Sequence, residues 1–145
     1  MFNPKTESLL KQIEAGEELV TSRAQALAQI LICDGCCCGR TERGYPGVPR
    51  EWLKARWKDS KLNRTVQLTM SGCLGPCDLA NVVCIAYPDR MVWLAGLSAD
   101  AQYETLCDWA RRSNDAGALA EFPASLAPHV FERFAAPEPA RDGPA

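Results

Sequence analysis

Ala28-Gln29-Ile30-Leu31-Ile32-Cys33-Asp34-Gly35-Cys36-Cys37-Cys38-Gly39 is the stretch on which the reading of this chain turns. An apolar run rich in Ile and Leu ends at Cys33, where Asp34-Gly35 breaks it. A short run closed by turn residues predicts a buried β-strand over Ala28 to Cys33, with a cysteine loop at its end. A second stretch is built the same way. Thr65 to Met70 alternates Val66, Leu68 and Met70, and Ser71 to Asp78 is a loop containing Cys73-Leu74-Gly75-Pro76-Cys77. Alternation of this kind predicts a second strand. Two cysteine loops at the same end of neighbouring strands can meet.

The flanking segments complete an α/β pattern. Cys36 to Pro49 carries Gly39, Gly44, Pro46, Gly47 and Pro49 and reads as loop. Pro49 suits the first turn of a helix running to about Lys61, with Leu53 and Trp57 on one face. Val82 to Tyr87 and Met91 to Leu94 predict a hairpin turning through Pro88-Asp89-Arg90. Ser98 is the expected cap of a helix with the apolar stripe Tyr103, Leu106, Cys107 and Ala110. Upstream, Thr6 to about Val20 reads as a helix capped by Thr6 and weakened at Gly16. Downstream, Phe122, Leu126, Val130, Phe131 and Phe134 suggest a short packed helix within Ala116 to Ala136. Pro137 to Ala145 holds Pro137, Pro139 and Pro144 and little apolar content, and reads as a disordered tail.

A βαβ unit followed by a ββα unit is how a thioredoxin-like sheet is assembled. The expected organisation is therefore an N-terminal helical extension over 1–27, a thioredoxin-like domain over 28–113, a short helical extension over 114–136 and a tail over 137–145. The length of 145 residues, with 47% hydrophobic and 23% charged residues, suits one such domain plus short extensions. A net charge of −2 speaks against bulk binding of nucleic acid. No apolar run approaches the ~20 residues that span a bilayer. The first residues, Met1-Phe2-Asn3-Pro4-Lys5, lack the pattern of a secretory leader, so the expected location is the cytoplasm.

Eight cysteines are the anomaly of this composition: Cys33, Cys36, Cys37, Cys38, Cys73, Cys77, Cys84 and Cys107. Disulfide frameworks belong to small secreted chains, and three consecutive cysteines crowd one another for disulfide geometry. Clustered thiols in a cytoplasmic chain point to metal binding or redox chemistry. Four thiolates suit Zn²⁺ or an iron–sulfur cluster, and glycines let backbone amides approach such a centre. His129 is the only histidine and lies far from both loops, which argues against a mixed Cys/His site. Cys73 and Cys77 are the expected pair in the second loop. In the first, Cys33 is the expected first ligand, with Cys36, Cys37 or Cys38 as its partner. Cys33 with Cys36 makes C-x₂-C, the usual zinc half-site, whereas Cys33 with Cys38 makes C-x₄-C, which spans a larger centre. Cys84 in a strand and Cys107 on a helix stripe read as core thiols, and the four tryptophans as packing.

Cys33-x-Gly35-x-x-Cys38, followed after 34 residues by Cys73-Leu74-Gly75-x-Cys77, resembles the thioredoxin-like [2Fe–2S] ferredoxins. It also resembles the small iron–sulfur subunit of the respiratory NADH dehydrogenase. The run C-x-x-C-C-C-G is similar to ferredoxin-domain proteins linked with cobalt chelation and cobalamin biosynthesis. The resemblance spans about Ile30 to Arg112. It implies a [2Fe–2S] cluster held by Cys33, Cys38, Cys73 and Cys77, and one-electron transfer rather than catalysis, in a cobalamin or other reductive pathway. The alternatives are a structural or metal-delivery protein with Cys₄ zinc on Cys33, Cys36, Cys73 and Cys77, and a dithiol redox protein using Cys33 and Cys36.

Charge adds a partner expectation. Arg40 to Arg64 carries eight bases (Arg40, Arg43, Arg50, Lys54, Arg56, Lys58, Lys61, Arg64) against three acids, beside the first cysteine loop. That excess suits docking of an acidic redox partner protein, against the plainer reading of a solvated helix face. No nucleic acid and no membrane are expected, and a homodimer is left open.

Overall fold

The computed structural model describes residues 2–19 and 25–135. Its sheet comprises β1 (Ala28–Cys33), β2 (Val66–Ser71), β3 (Val83–Ala86), β4 (Met91–Leu94) and β5 (Val130–Phe131), in the order β2-β1-β3-β4-β5. β1 and β2 run parallel, with Ala28 opposite Val66 and Cys33 opposite Ser71. The other neighbours are antiparallel. A parallel pair needs a crossover, which α2 (Arg50–Asp59) supplies. α3 (Asp100–Ala116) follows the β3–β4 hairpin. The βαβ-then-ββα order with this sheet is the thioredoxin-like arrangement.

Strand alternation sorts the side chains onto two faces. Ile30, Ile32, Val83, Ile85 and Leu94 join Leu53 and Trp57 of α2 and Tyr103, Leu106, Trp109 and Ala110 of α3 in the main core. The intervening residues Cys33, Cys84 and Trp93 form a second, smaller cluster with Cys38 and Val82. Trp57 also ties α2 to the sheet, because its Nε1 donates to the Val66 carbonyl at 2.8 Å. Truncating a residue such as the fully buried Leu53 to Ala costs about 2–5 kcal/mol.

Three local expectations are corrected. α1 (Pro4–Glu14) is capped by Asn3, whose Oδ1 accepts from the Thr6 backbone N–H at 2.9 Å, and not by Thr6. The helix stops before Gly16, which turns left-handed at φ 72°, and it buries none of its residues. Val20, its expected end, lies outside the described residues. At α3 the Gln102 Oε1 reaches back to the Ser98 and Ala99 N–H groups, so the capping acceptor comes from the first turn and not from Ser98.

The third correction concerns Ala116 to Ala136. α3 ends at Ala116, and the chain then makes a 3-10 turn over Ala124–His129 and pairs β5 with β4, Phe131 opposite Trp93. Pro128 lacks the N–H an α-helix needs and biases Ala127 away from helical geometry. The expected tail over 137–145 lies outside the described residues. Among the described residues no helix is long and apolar enough to cross a membrane.

Candidate metal centre

Parallel pairing of β1 with β2 puts their C-terminal ends side by side, and each end releases a cysteine loop. The Asp34 N–H donates to the Ser71 carbonyl at 3.0 Å and joins the loops at their roots. In the first loop Gly35 adopts φ 104° and its N–H donates to the Cys38 carbonyl at 2.9 Å. Gly39 is also left-handed at φ 77°, and a Cβ there would lie 2.5 Å from Asp34 Oδ1, so the turn needs glycine on two counts. Arg40 donates to the Gly35 carbonyl, and Arg50 at the start of α2 pairs with Asp34 at 3.3 Å. The second loop closes on itself through the Cys77 N–H to the Gly75 carbonyl at 2.8 Å.

Asn81 holds the first loop from the side of the second. It is fully buried, and its Oδ1 accepts from the Gly39 N–H at 3.1 Å. Its Nδ2 donates to the Pro46 and Gly47 carbonyls at 2.9 and 3.2 Å. Three backbone groups of the first loop thus depend on one side chain that follows shortly after Cys77.

The thiols converge across the two loops. Cys77 Sγ lies 3.1 Å from Cys73 Sγ and 3.4 Å from Cys36 Sγ. The sulfurs of Cys36, Cys37 and Cys77 all lie within 4.8 Å of one another. Cys73 is exposed and the other three are half-buried. Hydrogen bonding from Cys77, and then from the Gly75 amide and Cys36, lowers the pKa of Cys73. Cys77 is raised because Cys73 and Cys36 compete with its own charged form. At Cys36 the bond with Cys77 pulls down, but Cys73 and burial outweigh it, and the net direction is up.

Of the four thiols the family resemblance implies, Cys73 and Cys77 come together at this cluster. Cys33 and Cys38 are buried in the smaller core cluster. Cys38 Sγ accepts from the Val82 N–H at 3.3 Å, and burial pushes its pKa up to about 12. The first-loop thiols beside Cys77 are Cys36 and Cys37. The expected dithiol of Cys33 with Cys36 is accordingly split between the two places. Cys84 and Cys107 are buried and raised by burial, as core thiols are.

Sequence reasoning missed two residues of this region. Asn81 is one; a lone polar residue before the apolar run Val82-Val83 was the available signal. The other is Arg133, whose guanidinium seats on Gly75 and which carries no local signal at all.

No family model matches the chain, and no curated protein matches it. Among solved structures it is similar to the thioredoxin-like [2Fe–2S] ferredoxin from Aquifex aeolicus, at 21% identity and a TM-score of 0.42, covering 75% of this chain and 100% of that one. A Cys-to-Ser variant of that ferredoxin aligns at 20% identity and a TM-score of 0.43, covering 73% of this chain and 99% of the variant. A second such variant aligns at 18% and 0.40, covering 73% and 99%.

Proposed function

We propose that this chain is an iron–sulfur electron carrier whose [2Fe–2S] cluster sits between the two cysteine loops. The observation that carries the reading is the convergence of thiols from both loops at one exposed end of the sheet, where a partner protein can reach them. The donor set suits the group. Two thiolates on one tetrahedral metal, each at roughly 2.3 Å, stand about 3.8 Å apart, and the 3.1 Å between Cys73 and Cys77 in one loop suits a pair that serves one metal. Such a cluster supplies one-electron transfer when bound, with a potential tuned by amide hydrogen bonds and exposure. The chain's own residues set those terms: the Gly75 amide hydrogen-bonds to the Cys73 sulfur, and Asn81 fixes the first loop.

Cys73 and Cys77 are proposed as two ligands. Cys36 and Cys37 are proposed as the others, supported by their position against Cys77. Cys33 and Cys38 are the rival pair, favoured by the C-x₄-C resemblance; they would have to leave the core to serve. The partner is proposed to be an acidic redox protein docking on the 40–64 segment. Its helix α2 starts at the Asp34–Arg50 pair beside the first loop and exposes Lys54 and Lys58.

The mutual closeness of Cys36, Cys37 and Cys77 supports a second reading, a single zinc ion on the cysteines of the two loops. Visible absorption and metal analysis of protein expressed with ample iron separate the two. The expected result is a coloured protein with about two iron and two sulfide per chain. Colourless protein with stoichiometric zinc would overturn the carrier. Cys73→Ser and Cys77→Ser should lose the cluster, as should Cys36→Ser and Cys37→Ser, while Cys33→Ser and Cys38→Ser should keep it. Loss on changing Cys33 or Cys38, with Cys36→Ser and Cys37→Ser coloured, would restore the rival set.

A further inference from the structure

Arg133 comes from the last described segment, just after β5, and has no place in the thioredoxin-like core. β5 pairing with β4 carries it across the smaller sheet face to the second cysteine loop. Its guanidinium carbon lies 5.4 Å from the ring centres of both Trp93 and Phe134. Its Nη2 occupies the space over Gly75, only 2.5 Å from where a Cβ would stand. Gly75 is the residue midway between Cys73 and Cys77. Among the described residues no carboxylate forms an ion pair with Arg133, and its buried Nε has no hydrogen-bond partner. A cation partly removed from water and left unpaired is costly unless a negative group stands close by.

We propose, on the reading of the two loops as a thiolate centre, that Arg133 is a positioning residue: its guanidinium on Gly75 is the counter-charge that favours the more negative state of that centre. Glycine at 75 is then required for more than its φ of 120°, because any side chain would displace the guanidinium. Trp93, under the guanidinium, packs edge-on against Phe131 of β5. A charge seated over the middle residue of the C-x₃-C loop lies on the order of 6–8 Å from either sulfur, two residues of about 3.8 Å away. At an effective dielectric of about 20 and with salt screening, that is worth about tenfold in an equilibrium that changes the site by one charge.

Uptake of one electron from an external one-electron donor is such an equilibrium. It makes the site more negative by one unit, with no bond broken and no proton moved. Redox titration of reconstituted protein followed by visible absorbance tests the point. Arg133→Met keeps the aliphatic stem on Trp93 but drops the charge. It should shift the reduction equilibrium about tenfold toward the oxidised form, about 59 mV for one electron. Arg133→Glu should shift it further, and Arg133→Lys should restore most of the wild-type value. Oxidised spectra should match throughout. Reduction equilibria within twofold of wild type for both Arg133→Met and Arg133→Glu would overturn the inference.

A second measurement does not depend on iron. Cobalt(II) titration of the metal-free protein, read at the thiolate charge-transfer band, forms metal–sulfur bonds and releases the thiol protons to buffer, leaving a more negative site. Arg133→Glu should weaken cobalt binding at least tenfold and Arg133→Lys by less than threefold. Equal affinities would again overturn it. A protein that takes up no iron but shows this cobalt pattern would refute the electron carrier while keeping the role of Arg133.

Discussion

Replacing Asn81 with Ala tests the account of how the two loops are held together. The side chain is fully buried and makes three hydrogen bonds to first-loop backbone: one accepted from Gly39 and two donated to Pro46 and Gly47. Truncation leaves those groups without their partner. A buried polar group that loses its bond costs about 1–3 kcal/mol, but the half-buried Pro46 and the exposed Gly47 can recover water. The expected loss is therefore about 2–4 kcal/mol in denaturant melts. Because Gly39 lies two residues after Cys37, a proposed ligand, the metal should also leave the variant faster on addition of a chelator.

Asn81→Asp sharpens the test. The carboxylate keeps the acceptor for Gly39 but turns a charged oxygen toward the Pro46 and Gly47 carbonyls, and the neighbouring buried Tyr103 hydroxyl supplies at most one donor. Burial and the carbonyl dipoles raise the folded pKa of the introduced acid above its unfolded value of about 3.9. Its contribution is retained below that unfolded pKa and lost as pH rises through the folded one. Relative to Asn81→Ala, the Asp variant should be the more stable at pH 3.5 and the less stable at pH 7, by melts at both pH values. A cost below about 0.5 kcal/mol for Asn81→Ala, or no pH dependence between the two variants, would refute the clamp.

Two further outcomes follow from burial and charge. In metal-free, reduced protein, Cys36, Cys37, Cys73 and Cys77 should react with a thiol reagent well before Cys33, Cys38, Cys84 and Cys107, which are buried; mass mapping that finds Cys33 or Cys38 in the fast group would contradict the packing. Lys54→Glu with Lys58→Glu reverses two exposed charges on α2, and should slow electron transfer to an acidic partner several-fold at low salt but little at high salt, with melting unchanged. Kinetics indifferent to salt and to reversal would make the segment a solvated face.

Both strand-loop units were legible because their signals are local. Ala28 to Cys33 is a continuous apolar run and Thr65 to Met70 alternates, so each predicts a strand within its own few residues, and glycine spacing predicts the loop that follows. Parallel pairing of the two strands then brings the cysteine loops together without further information. β5 was not legible. Two residues are too few to show a period, and the apolar Phe122 to Phe134 spread reads as helix until Pro128 is weighed. Nor was the choice among Cys36, Cys37 and Cys38. Consecutive residues of a glycine turn point in different directions, and which of them faces Cys77 depends on the φ of Gly35 and on the anchor at Gly39.

That anchor shows where a sequence stops being readable. Asn81 bonds to groups 34, 35 and 42 residues away, and each of those groups is backbone, identical in every residue type but proline's missing N–H. A pattern of side chains can announce a thiol, a charge or an apolar face, but not which carbonyl an amide meets. The same holds for Arg133, whose contact is glycine 75, a residue with no side chain to announce it. Both residues meet the backbone of a cysteine loop, Asn81 that of the first and Arg133 that of the second. The cysteines name the chemistry, but the contacts of Asn81 with Gly39, Pro46 and Gly47 and of Arg133 with Gly75 fall on main chain, where no side-chain pattern announces them.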